Sequence, residues 1–246
     1  LNLAQPPGPE AQTPPDHPLR NFYGRRSGKT LKPHQRRWLA EDLGALVPAG
    51  IAPAANPSRV PIDPRAIFGD DRPLWLEIGF GGGEHLVHMA AKYPHAGIIG
   101  AEPFINGVAM LLGKIRQAGV ANLALYPGDA RDILDVLPPA SLARAFLNYP
   151  DPWPKRRHHR RRFVSPASLG PLARAMAPGA VLRVATDVPD YVAQTLEEVP
   201  RAGFALVSAE IGPAARPWED WVATRYELKA LREGRAPAYL TFCRAD

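Results

Sequence analysis

The stretch that decides the fold is residues 74–83, L-W-L-E-I-G-F-G-G-G, where a short apolar run gives way to Gly79, Gly81 and Gly83 at alternate positions. A run of that length bounded by glycine predicts a buried strand, and the amphipathic pattern after it predicts a helix. Glycines at such a turn take positive φ without a Cβ clash and let the backbone approach a ligand. A dinucleotide-binding turn would read G-x-G-x-x-G, but counted from Gly79 and Gly81 the third position is Glu84. A carboxylate opening the helix sits badly against a pyrophosphate, which needs that helix end for itself. The spacing therefore disfavours a nicotinamide oxidoreductase.

Outward from this turn, short apolar runs alternate with longer amphipathic ones. Strands are expected near 74–79, 97–102, 122–126, 144–148, 180–186, 204–209 and 238–243, and helices near 83–92, 104–118, 130–136, 162–177, 188–200 and 217–233. Strand alternating with helix implies parallel strands joined by right-handed crossovers, hence an α/β, doubly wound sheet. The last strand follows a long helix and the turn G-R-A-P at 234–237, so it is expected to insert antiparallel. In such a sheet ligands sit beyond the carboxyl ends of the strands, so functional residues are sought there.

Three further strand ends carry suitable groups. The second ends at Glu102, nineteen residues past Gly83, where a carboxylate accepts from both hydroxyls of a ribose. The third ends at P-G-D-A, with Asp129 placed either to meet an adenine amino group or simply to cap the next helix. The fourth ends at residues 147–155, L-N-Y-P-D-P-W-P-K. Its prolines lock a turn and Trp153 offers a base a stacking surface, with Asp151 and Lys155 flanking it. A purely structural turn explains neither Asp151 nor the run K-R-R-H-H-R-R-R at 155–162.

Charge is concentrated rather than spread. Residues 17–40 hold seven cations and residues 155–162 six, with no carboxylate in either, so the rest of the 246-residue chain is net −7 although the whole is +6. Clustered cations suit a polyphosphate partner, because each neutralised phosphate releases condensed counterions. Residues 1–19 form a proline-rich tail poor in large apolar side chains and are expected to be disordered. Residues 20–73 read as a flexible basic arm with a short helix at 33–46 and an irregular connection, ahead of a main domain at 74–246. No apolar run is long enough to span a bilayer, no secretory signal is visible, and one cysteine, Cys243, excludes an internal disulfide framework. A cytoplasmic setting is expected, and a monomer, since no exposed apolar stripe stands out.

The segments 77–83, 100–104 (G-A-E-P-F), 150–155 with its arginine tail, Thr186-Asp187, and Thr224, Arg225, Tyr226, Glu227 together resemble the bacterial tRNA (guanine-N(7)-)-methyltransferases, from about residue 21 to the end. The glycine turn on its own is similar to the adenosylmethionine loop of Rossmann-like methyltransferases, whose ligand is a cationic amine and sulfonium. The resemblance implies S-adenosylmethionine as cofactor, contacted by Glu77, Gly79, Gly81, Glu102, Asp129 and Asp151, with Asp151 in the catalytic position. It implies that Lys155, Asp187, Thr224, Arg225, Tyr226 and Glu227 hold a guanine of the tRNA variable loop. It further implies that Arg157, His158, His159, Arg160, Arg161 and Arg162 grip the RNA. Tyr149 stands where family members often have Phe, and the proline-rich tail matches nothing in the family.

The implied chemistry needs little machinery. Ring nitrogen 7 of guanine carries a free lone pair and no proton, so attack on a sulfonium methyl requires alignment more than a base. Nearby carboxylates stabilise the cation that develops. His85 and His88 at spacing three would suggest a metal, but no third ligand is apparent, so no metal is expected. Two rivals remain: a methyltransferase for an exocyclic amine, which would need a carbonyl-rich clamp, and a non-catalytic RNA-binding module on a degenerate Rossmann fold.

Overall fold

A computed structural model describes residues 22–245; the proline-rich tail expected to be disordered, and Arg20, lie outside the described residues. In chain order the elements are α1 (Pro33–Glu41), α2 (Leu43–Leu46), α3 (Arg65–Phe68), β1 (Leu74–Ile78), α4 (Glu84–Lys92), β2 (Gly97–Ala101), α5 (Ile105–Ala118), β3 (Leu123–Tyr126), α6 (Ala130–Val136) and β4 (Leu142–Asn148). A 3-10 helix (Arg156–Arg161) precedes α7 (Pro166–Ala175), β5 (Met176–Thr186), α8 (Pro189–Arg201), β6 (Phe204–Ile211), α9 (Arg225–Arg232) and β7 (Ala238–Arg244).

The sheet order is β3-β2-β1-β4-β5-β7-β6. The five strands from β3 to β5 run parallel, while β7 lies antiparallel to both β5 and β6. The doubly wound sheet with an inserted antiparallel C-terminal strand is thus the one the alternation predicts. β1, β2 and β3 are buried along their whole length, as expected of parallel strands covered on both faces. Leu86 and Met89 of α4 and Val108 and Leu111 of α5 cover one face. Ile133 of α6, Leu172 of α7 and Tyr191 of α8 cover the other. The chain order reverses at β1, between β2 and β4, and a crevice opens there beyond the strand ends.

Three expectations are corrected. The helix expected over 217–233 is helical only from Arg225. Before it, Asp220 is drawn onto the sheet by Arg183 at 2.6 Å and the Tyr93 hydroxyl at 2.8 Å, while Trp218 and Trp221 pack against Tyr239. Those contacts outweigh local helical periodicity. The helix expected over 162–177 begins at Pro166, and β5 already starts at Met176. Nor is the basic arm loose from residue 22 onward. Ile105 N–H donates to the Arg26 carbonyl (3.0 Å), Gly28 N–H donates to Asn106 Oδ1 (2.8 Å), and Arg116 pairs with Asp42 (2.6 Å).

Candidate active site

The crevice is a cavity of about 780 Å³, within the range of small-molecule sites. Its floor comes from the ends of β1, β2 and β4 through Gly79, Gly81, Ala101 and Leu147. Gly79 and Gly81 have φ of 72° and 56°, the left-handed region that a side chain would strain. A Cβ on Gly81 would also lie 2.9 Å from the Tyr226 ring, which closes over the turn.

Glu102, only 8% exposed, is held by two backbone donors: Gly81 N–H reaches Oε2 at 2.7 Å and Phe104 N–H reaches Oε1 at 2.9 Å. Burial nonetheless pushes its carboxyl up, those two donors oppose the rise, and the charges of Asp151 and Glu77 add to it. Asp151 is more exposed but is also raised by partial desolvation, and eased by Arg25. Carboxylates that crowd one another around a cavity favour a cation between them. The single acid at the N-terminus of α4, Glu84, is neutralised by Arg225 (2.6 Å) and Lys114 (3.1 Å). S-adenosylmethionine, with its ammonium, sulfonium and ribose hydroxyls, fits this set of donors and charges; a pyrophosphate does not.

The expected cofactor residues divide. Gly79, Gly81, Glu102, Asp129 and Asp151 all line the cavity. Asp129 caps α6 by accepting from Arg131 N–H (3.0 Å) and is also gripped by the Arg131 guanidinium, so the helix-cap role is the one seen, on a carboxylate that also lines the cavity. Glu77 is buried behind the turn with its Oε2 2.7 Å from His85 Nδ1. His88 turns elsewhere, to the Asp220 carbonyl at 3.2 Å. The described residues contain no group of three or more potential metal ligands.

The residues expected to hold guanine gather only in part. Thr224 caps α9, accepting from Glu227 N–H at 3.2 Å. Glu227 is buried and accepts from Trp221 Nε1 (2.8 Å) and from the Tyr239 hydroxyl. The Tyr149 hydroxyl lies unpartnered nearby, its phenol pushed well up by burial and by the charge of Glu227. Tyr226 lines the cavity; Arg225 is tied to Glu84, Asp187 is paired with Arg235, and Lys155 stands exposed at the start of the 3-10 helix.

The turn after β4 is sharp. Tyr149 and Trp153 have φ of 49° and 39°, a strained region for residues with side chains, costing of order 1–3 kcal/mol each. The strain is held by Arg162. This arginine, expected among the RNA-gripping cations, is 2% exposed. It donates to the Pro152 carbonyl (2.8 Å), Gln194 Oε1 (2.8 Å) and Asp190 Oδ2 (2.7 Å), and stacks on Tyr191. Its guanidinium is committed inside the protein and does not face a partner. His159 is 3.1 Å from Asp190, and Arg157 lies beside His158 at 3.3 Å. Arg160 and Arg161 reach the cavity rim, Arg161 stacked between Tyr23 (4.4 Å) and Trp153 (5.0 Å). Sequence reading missed the wall contributed by Phe22, Tyr23 and Arg25. The acid-free run at 17–40 is the available signal, but its cations read only as a match to a polyphosphate partner.

Residues 71–239 match the family described as "Putative methyltransferase". The tRNA (guanine-N(7)-)-methyltransferase of Paracoccus denitrificans is 70% identical over 230 residues, spanning 94% of this chain and 97% of that one. The protein of the same name from Cereibacter sphaeroides is 70% identical over 225 residues, 92% of this chain and 91% of that one. Among solved structures, the 16S rRNA methyltransferase KamB superposes with a TM-score of 0.56 at 19% identity over 74% of this chain and 94% of its own, a likeness of fold.

Proposed function

This chain belongs to the tRNA (guanine-N(7)-)-methyltransferase family, and from that premise we infer that it moves the methyl group of S-adenosylmethionine to ring nitrogen 7 of a guanine in tRNA. The observation that carries the reading is the meeting, in one cavity, of the carboxylates Glu102, Asp129 and Asp151 with a stacking turn and the cationic rim of Arg160 and Arg161.

S-adenosylmethionine supplies an electrophilic methyl on a sulfonium. Gly79 and Gly81 let the backbone approach it, Glu102 accepts from the ribose hydroxyls with its remaining lone pairs, and Asp129 meets the adenine. Glu77, fixed by His85, supports the turn from behind and adds negative potential. Asp151, at the mouth of the strained turn, orients donor and acceptor and offsets the positive charge that grows on the purine. No residue is needed to remove a proton from nitrogen 7. Glu227, anchored by Trp221 and Tyr239, accepts from the imino and amino hydrogens of guanine, while Thr224 and Tyr226 complete that side. Lys155, Arg157, His158, Arg160 and Arg161 meet RNA phosphates. Asp187 and Arg225 act through their ion pairs, shaping the loops around the base.

We further propose that the enzyme works as a monomer in the cytoplasm; no helix among the described residues is long and apolar enough to cross a membrane. The division into tail, basic arm and catalytic domain follows the same reading. Incubation with labelled S-adenosylmethionine and bulk tRNA, followed by digestion to nucleosides, tests the reaction. 7-Methylguanosine is expected; label in another nucleoside overturns the assignment.

A further inference from the structure

Asn148 ends β4 and is 7% exposed, yet neither its Nδ2 nor its Oδ1 has a hydrogen-bonding partner among the described residues. The contrast with Asn122 is direct. That side chain is buried to the same degree, and its Nδ2 lies within reach of the carbonyls of Ala90 (3.1 Å), Tyr93 (3.1 Å) and Ala96 (2.8 Å). Buried amides are ordinarily satisfied, and one left wholly unpaired is costly, so its retention between Leu147 and Tyr149, which both line the cavity, calls for a ligand.

Position and chemistry identify which ligand. In the sheet Asn148 pairs with Ala185, and Ala185 pairs with Tyr239, so the three form one row on one face. Tyr239 is the residue whose hydroxyl donates to Glu227. At the other side, Asn148 is three residues from Asp151. On guanine, oxygen 6 lies between nitrogen 7 and the imino hydrogen of nitrogen 1. A base presenting its imino edge to Glu227 and nitrogen 7 toward the Asp151 side of the cavity carries oxygen 6 between the two, as Asn148 falls between Tyr239 in the sheet row and Asp151 in the chain.

We propose that Asn148 is a specificity-determining residue that selects guanine by donating from Nδ2 to oxygen 6 of the base. Adenine would bring an amino group to that point, which the amide meets only by turning its Oδ1 inward, and would set its unprotonated nitrogen 1 against the Glu227 carboxylate. A site built around a substrate hydrogen bond rejects an analogue lacking it far more strongly than an apolar pocket would. The proposal rests on the guanine reading above and deepens it.

The test crosses the residue with the substrate atom. Once the methylated position is mapped, kcat/KM is measured on tRNA carrying there either guanine or 2-aminopurine, which keeps nitrogen 7 and the amino group but has hydrogen in place of oxygen 6 and no hydrogen on nitrogen 1, a second change that weakens the Glu227 contact equally in every variant at position 148. The intrinsic reactivity of the two bases cancels when variants are compared. Asn148→Ala is expected to lose roughly 10- to 100-fold on guanine and almost nothing on 2-aminopurine, the signature of one removed hydrogen bond. Equal losses on both bases overturn the proposal. Asn148→Leu, which fills the site with an apolar group, should hold or raise Tm while lowering kcat/KM on guanine; a lowered Tm makes Asn148 a structural support and overturns it too. Failure of the underlying reading looks different: the unmodified enzyme would then form no 7-methylguanosine at all.

Discussion

Asp151 and Glu102 reach the same cavity from different strands, and desolvation raises the carboxyl of each. Their surroundings differ: Glu102 is tied to two backbone donors, while Asp151 has only the distant help of Arg25. Asp151→Asn keeps the shape and removes the charge, so single-turnover methylation at saturating cofactor and tRNA should slow by about 100-fold or more. Raising the pH should not rescue it, because no proton is abstracted; a rate near that of the unmodified enzyme would reduce Asp151 to a turn residue. Glu102→Ala should weaken S-adenosylhomocysteine binding by roughly 1–3 kcal/mol in calorimetry, and unchanged affinity would remove Glu102 from the ribose. The raised carboxyl of Glu102 also sets a pH dependence. The folded state holds this proton more tightly than the unfolded chain does, so the group costs stability as pH rises from the ordinary glutamate value through the raised one. Cofactor affinity runs the other way, falling as acidification reprotonates the acceptor, and Glu102→Gln should flatten that profile.

The 3-10 helix (Arg156–Arg161) and the turn before it show where sequence patterns stop being informative. The glycine turn, Glu102 and the 147–155 segment were legible because their meaning is local: a glycine at positive φ, a carboxylate at a strand end, prolines in a turn. K-R-R-H-H-R-R-R reads as one solvated cluster, and nothing in it marks the last arginine as the one that turns inward to the Pro152 carbonyl. Residues 217–224 were misread for the same reason, since Asp220 is fixed by Arg183 and Tyr93, far away in the chain. The two kinds of arginine make opposite predictions. Neutralising Arg157 and Arg160 should weaken tRNA binding and flatten its salt dependence by roughly 0.7–0.9 units of slope per lost phosphate contact, leaving cofactor affinity alone. An unchanged slope would make this a solvated loop. Arg162→Ala should instead lower folding stability by about 1–3 kcal/mol in urea denaturation and leave the salt slope untouched.

Across the whole molecule, the sheet joins a parallel part to an antiparallel one. The parallel strands β3-β2-β1-β4-β5 follow one another through crossovers; alternation made their parallel direction readable but not their order. The antiparallel end was readable only as a possibility of insertion, because pairing between β5 and β6 is a long-range choice. β7 there brings Tyr239 to Glu227 and Thr241 to the Trp218 indole (2.8 Å), so the strand also assembles the side of the site proposed to hold guanine. The arrangement bears on how the protein is made. During synthesis β6 leaves the ribosome before the only strand it pairs with among the described residues, and must wait exposed until β7 has been translated and slid in beside β5. The nascent chain therefore has a cofactor crevice before it has a completed sheet. Chains arrested on the ribosome before β7 emerges should resist proteolysis over the β1–β4 region but be cut at β6, and protection of β6 should appear only when β7 is released.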